Sequence, residues 1–176
     1  MIARPQTGEY SSFYAGYVGR VPEGSDLFAL LRGQPDDLRA LLGGLSDEQA
    51  NARPAPGEWS VKEVMGHICD AERVFAYRAL RIARGDTTPL PSFQQNEYVK
   101  ATDFNARALD DLLEEFSLQR RANLLCFQPL TAEELARWGT SSGNPVTARA
   151  LLHIMAGHVL HHIESLQVDY KVGAAG

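Results

Sequence analysis

Histidine is the side chain best suited to change charge or bind a metal near neutral pH, and the spacing of the five histidines here separates them into groups. His158 and His162 stand four residues apart, one helical turn, so on a helix their imidazoles share a face and can converge on one ion. On a wheel with His158 at zero, His162 falls at ~40°, among Leu151, Met155 and Val159, which puts both on an apolar stripe. His161 at ~300° and His153 at ~220° point away from that stripe, so solvent or a place beside the ligands is their expected position. His67 lies on a second stripe with Val64, Ala71, Phe75 and Ile82 and also points inward.

Each unpaired imidazole in a core would cost about 1–3 kcal/mol. A shared divalent ion satisfies all three, and three neutral imidazoles leave a position open for water or substrate, which implies Lewis-acid or activated-water chemistry. The competing reading is a hydrogen-bonded core histidine at His67 and ordinary helix residues at His158 and His162. The HExxH protease pattern is absent, because Val159 stands where that motif has its base. Glu63 is explained by helix capping, and Asp70, Glu72 and Glu164 read as solvated or ion-paired. Arg78 falls at ~20° on the His67 wheel, three turns along, where it could bind a substrate anion or extend its head to solvent at the bundle's end.

The elements that position these residues are helices. Ser60 and Glu63 form a capping-box pattern that opens a helix running to about Gly85, carrying His67 and Arg78. Thr147 caps a second, running through Leu166 with the other histidines. Leucines 27, 30, 31, 38, 41 and 42 follow Ser25 as N-cap to Gly43–Gly44, with Gly33 and Pro35 as kink points, and a fourth pattern covers Phe104 to Phe127. Ser46 with Gln49 and Thr131 with Glu134 cap short extra helices in the loops. The stretches DTTPLPSFQQ and WGTSSGNPV read as loops, with no strand alternation anywhere. The expectation is all-α: a four-helix bundle over residues 25–170, an arm at 1–24 whose Tyr10, Phe13, Tyr14 and Tyr17 could dock on it, and a tail at 171–176.

A chain of 176 residues, 44% hydrophobic and 22% charged, fits one globular core. Its net charge of −5 gives no general attraction to nucleic acid or anionic lipid. With no membrane-length apolar run and no secretory h-region, the expected location is the cytoplasm, where Cys69 and Cys126 read as two inert thiols.

Two segments, RPAPGEWSVKEVMGHICDAERVFAYRALRIARGD and LLHIMAGHVLHHIESLQ, resemble the two signatures of the DinB/YfiT-like superfamily of metalloenzymes. In the first, Trp59–Ser60 opens a helix and His67 matches the first ligand; in the second, His158 and His162 match the other two. The resemblance implies a bundle of up-down-down-up type with the metal site at one end, a zinc or nickel ion, and a homodimer. Position 164 is Glu where some relatives have the glycine of an HHRGQ-like run, so a thiol-binding residue is not carried over there. The reading that follows is a metal-dependent hydrolase acting through water on a small-molecule substrate, with Arg78 and His161 beside the three ligands. The alternatives are a transferase using a low-molecular-weight thiol, which needs an anionic subsite, and a non-catalytic metal-binding dimeric module, which needs no pocket.

Overall fold

The computed structural model describes residues 2–173; the last three residues of the expected tail lie outside the described ones. In chain order the elements are α1 (Ala15–Arg20), α2 (Leu27–Leu42), α3 (Asp47–Ala50), α4 (Val61–Ala83), α5 (Gln95–Ala101), α6 (Leu109–Phe127), α7 (Ala132–Leu135), β1 (Trp138–Ser141), β2 (Asn144–Thr147) and α8 (Ala148–Val168). The long helices α2, α6, α4 and α8 pack in a closed ring, each against the next. This is the expected four-helix bundle.

Local chemistry sets the helix starts. The hydroxyls of Ser46, Ser60 and Thr131 each accept the amide three residues on, while Gln49, Glu63 and Glu134 reach back, so all three capping boxes form. Thr147 caps α8. The first long helix is capped by Asp26, whose carboxylate accepts from the Phe28 and Ala29 amides, one residue later than the expected Ser25. Pro35 does not break α2. It lacks an N–H, so the Leu31 carbonyl one turn earlier is free, and the Arg120 Nη1 donates to it at 3.0 Å.

That guanidinium belongs to a buried polar cross-link of all four helices. Arg120 of α6 donates from Nε and Nη2 to both oxygens of Glu72 on α4, each at 2.8 Å, and from Nη1 to Gln34 Oε1 on α2 at 2.6 Å. Gln34 Nε2 donates in turn to the Ala156 carbonyl of α8 at 2.7 Å, and Asn123 Nδ2 donates to Glu72. Glu72 is therefore ion-paired, as its helix position suggested, but fully buried. A satisfied network of this kind fixes helix register more than it adds stability.

Three features depart from the sequence expectation. Helix α6 starts at Leu109, because Phe104–Ala106 forms a separate 3₁₀ turn capped by Asp103 and Arg107 is extended. The stretch WGTSSGNPV is not loop throughout: β1 and β2 form an antiparallel hairpin around Ser142 (φ 53°) and Gly143 (φ 76°). Two successive positive φ values are what the tight hairpin turn matching strand twist requires, and a Ser-Gly pair supplies them without an Asn-Gly signature. The arm is also ordered. A 3₁₀ turn at Ser12–Tyr14 leads into α1, which packs on α8 and is held by Arg4, whose Nη1 and Nη2 donate to the Val21 and Val18 carbonyls. Glu9 fastens the arm to the start of α8. Its carboxylate accepts from Arg149 and from Thr147 Oγ1, and its carbonyl from the Thr147 amide. Among the described residues no helix is long and apolar enough to cross a membrane.

Candidate metal centre

Helices α4 and α8 share the largest helix contact of the bundle, which sets His67 opposite His158 and His162. His158 Nε2 lies 2.9 Å from His67 Nε2 and 3.1 Å from His162 Nε2. Among the described residues these three form the one cluster of potential ligands whose donor atoms all lie within 4.8 Å of one another. All are buried. Two glycines help bring the neighbouring segments in. A Cβ at Gly66 would lie 2.3 Å from the Phe104 ring, and one at Gly157 would lie 1.9 Å from the Tyr17 carbonyl oxygen.

The donor set suits a metal ion. A neutral imidazole Nε2 either carries one proton or offers one lone pair, so His158 Nε2, facing two partners, cannot be well paired with both by hydrogen bonding. Tetrahedral zinc with nitrogen ligands at ~2.0–2.1 Å spaces them ~3.3 Å apart, close to the separations here. Burial pushes the His67 imidazole down to about 4, with a smaller repulsion from His161. Burial and the neighbouring histidines hold His158 and His162 well below the ordinary range as well. All three are neutral at pH 7, the form a ligand must have.

Aromatic rings cover the cluster. Trp59 lies against His67 with ring centroids 4.9 Å apart, and Tyr17 and Phe75 meet His158 edge-on at 5.4 and 5.6 Å. His161 is outside the donor cluster, half-buried, with its ring 5.0 Å from His162 and 5.4 Å from Tyr17. It lies next to the cluster and not within it. His153 does not face solvent: it is buried, and its Nδ1 donates to the Arg149 carbonyl at 2.8 Å. The wheel placed it correctly opposite the stripe, but that side of α8 is covered by the arm, with Arg4 and Glu9 near enough to act on its charge.

Arg78 neither extends into solvent nor reaches the histidines. Its Nη2 donates to the Pro91 carbonyl at 2.5 Å and to Ser142 Oγ at 3.3 Å, and its guanidinium lies 5.7 Å from the Phe93 ring centroid. It braces the hairpin tip against the loop before α5. Glu164, the departure from the HHRGQ-like run, pairs with Arg20 of α1 at 2.9 Å. A cavity of about 270 Å³ opens beside His158, bounded by arm residues, Phe75 of α4, the start of α5 and the hairpin tip. A larger one of about 740 Å³, between the start of the arm and α2, touches none of the three histidines. Tyr17 was expected to dock on the bundle but not to meet His158, because its arm shows no helical period, and Ser142 was hidden in an apparent loop.

A sequence model of the DinB superfamily matches residues 30–166. The chain belongs to this superfamily. The match spans all three histidines of the cluster, whereas the DinB-like region leaves outside it the arm that carries Tyr14 and Tyr17. A protein named "Putative metal-dependent hydrolase" from Geobacillus thermodenitrificans is 33% identical over 98 residues, 56% of this chain and 54% of that protein. One of the same description from Geobacillus kaustophilus is 33% identical over 81 residues, 46% of each chain. The chain thus aligns with about half the length of these curated relatives. The solved structure of YfiT from Bacillus subtilis, titled "a probable metal-dependent hydrolase with an unusual four-helix bundle topology", superposes with a TM-score of 0.77. It covers 97% of this chain and 93% of its own at 14% identity, so the shared DinB architecture is a likeness of fold.

Proposed function

We propose that this DinB-superfamily chain is a metal-dependent hydrolase of a small molecule, with one divalent ion, zinc or nickel, held by His67, His158 and His162. The observation that carries this reading is the convergence of three buried, neutral imidazole Nε2 atoms beside a cavity. When bound, such an ion supplies Lewis acidity and lowers the pKa of water. The names borne by the Geobacillus relatives and by YfiT point the same way.

The chain's own residues have separable roles in this reading. Trp59 covers His67 and Phe75 packs on His158 as part of the cavity wall, so both shield the imidazoles while His158 borders the cavity. The Tyr17 phenol, raised above its ordinary value by burial, stays protonated and can donate to a substrate oxygen. His161 packs on His162 and Tyr17 and keeps their rings in place. Among the described residues no carboxylate lines the cavity, so this reading assigns no carboxylate base. Two observations favour the hydrolase over the alternatives: a cavity beside the histidines weighs against a non-catalytic module, and Arg78, the candidate for a thiol cosubstrate's anionic subsite, is not among the residues that line that cavity. A homodimer in the cytoplasm completes the reading.

The test is metal content by elemental analysis, paired with hydrolysis of a panel of small esters and amides by loaded and chelator-stripped protein. About one ion per chain, lost on His67→Ala and His162→Ala together with hydrolysis, supports the reading. Equal metal in wild type and both variants rejects it.

A further inference from the structure

The cavity beside His158 has a chemical character of its own. Its walls carry five aromatic rings, Phe13, Tyr14, Tyr17, Phe75 and Phe93, and its rim carries the carboxamides of Gln94, Gln95 and Asn96. No charged side chain lines it. The rings hold one another edge to face: Phe13 on Tyr14 at 5.1 Å, Tyr14 on Phe75 at 6.1 Å and Phe75 on Phe93 at 6.5 Å, each within ten degrees or so of perpendicular. The rings pack on one another without a ligand, with Phe13 the most exposed of them. At about 270 Å³ the cavity is at the small end of ligand pockets, and an apolar cavity of about 150 Å³ already admits benzene.

Charge decides between ligand classes. A cation would meet Arg78 behind the Phe93 ring and, in the proposed function, a divalent ion on the histidines. An anion deep in the cavity would lose its water with no cationic side chain among the described lining residues to replace it. Ser142 supports the same conclusion. It holds a left-handed φ of 53° that glycine or asparagine would adopt more easily, and its hydroxyl accepts from Arg78 Nη2, so that Ser142 and not Arg78 lines the cavity there. An uncharged flat molecule loses least on entry and gains stacked and edge contacts with several rings.

We propose that this cavity selects a small uncharged molecule with a planar aromatic body, one ring with a carbonyl-type group, the ring lying among the aromatic walls and the polar group toward His158. The orientation rests on the hydrolase reading; recognition of the ring does not require the ion.

The experiment is ligand binding by saturation-transfer and titration NMR to the full chain, zinc-loaded and chelator-stripped, with four probes: benzamide, cyclohexanecarboxamide, benzoate and benzyltrimethylammonium. In the stripped protein, where benzoate cannot ligate zinc, benzamide is expected to bind at least about tenfold tighter than each of the others. Phe13→Ala, at a side chain 73% exposed whose loss leaves the fold intact, should weaken benzamide about threefold, and Phe93→Ala more. Benzoate binding as tightly as benzamide would overturn the proposal in favour of an anion subsite at Arg78. A preference for benzyltrimethylammonium, equal binding of cyclohexanecarboxamide, or no effect of either Phe variant would each overturn it too. Failure of zinc to bind, with benzamide still selected, would remove the hydrolase reading and leave this one; zinc bound by the histidines without selection of benzamide would do the reverse.

Discussion

Gly157 and Tyr17 meet through their backbones: a Cβ on Gly157 would stand 1.9 Å from the Tyr17 carbonyl oxygen and 3.0 Å from its Cα. No side chain fits at 157 while α1 stays where it is. The close approach is what brings the Tyr17 ring edge onto His158, the next residue along α8. Gly66 has the same relation to its neighbour, since it immediately precedes His67 and admits the Phe104 ring.

Gly157→Ala is therefore expected to push the arm off α8 at a cost of about 1–3 kcal/mol, the usual range for overpacking. Urea unfolding would read the loss, and limited proteolysis would show faster cleavage near Arg20. Unchanged stability and unchanged cleavage would mean that the arm does not dock as described.

The two outlying histidines and the cluster should separate cleanly. His162→Ala removes one of the three proposed ligands and should lower bound metal sharply. His153→Ala should leave metal content nearly unchanged, yet lower stability by about 0.5–1.5 kcal/mol, because the buried imidazole's hydrogen bond to the Arg149 carbonyl is lost. Elemental analysis beside thermal unfolding checks both, and a loss of metal in the His153 variant would contradict the assignment.

The sequence carried the bundle because its helix starts are local chemistry. Ser46, Ser60, Thr131 and Thr147 cap from side chains one turn away, and each is legible in a window of four residues. The cluster was legible for a related reason: His67, His158 and His162 each sit on an apolar stripe, and two stripes that must bury themselves face each other. The arm helix was not legible, because Gly16 and Gly19 give it poor intrinsic propensity and it forms only by packing on α8. The burial of His153 was hidden for the same cause, since a wheel describes one helix and not what covers its far side. Nor could any local window show that Pro35 frees the carbonyl that Arg120 takes, across 89 residues of chain.

That long-range cross-link makes a further expectation. Arg120→Met leaves Glu72 as a buried carboxylate with only Asn123 to satisfy it, and should cost about 3–5 kcal/mol. Replacing Glu72 by Gln in the same chain removes the stranded charge and should restore part of the loss. Denaturation of the single and double variants measures the difference, and equal stabilities would show that the pair is not buried in solution.

Acid should act on the metal-free protein in two separate windows. The His67 imidazole is lowered from 6.5 to about 4, so between those values the unfolded chain takes up a proton that the fold refuses. Stability is full above about pH 6.5 and falls as pH drops toward 4, by on the order of 3 kcal/mol from His67, with His158 and His162 adding to it. Glu9 acts lower down. Hydrogen bonding from Arg149 holds its carboxyl at about 2 against an ordinary 4.5, so its contribution is present above 4.5 and disappears as pH falls through 2. Urea midpoints in the presence of chelator, across both windows, should show the histidine loss first, and a midpoint constant between about pH 7 and 4 would contradict it.

Glu9 and Arg149 lie 140 residues apart, so the strap that closes over the histidines is made well before α8 and has nothing to fasten to until the start of α8 has been synthesised. At about 5–20 residues per second the ribosome spends roughly 7–28 s between the two. During that interval α4 is already exposed with His67, while His158 and His162 have yet to emerge. The pocket wall that bears Tyr14 and Tyr17 is therefore synthesised before the helices it closes on and assembled after them.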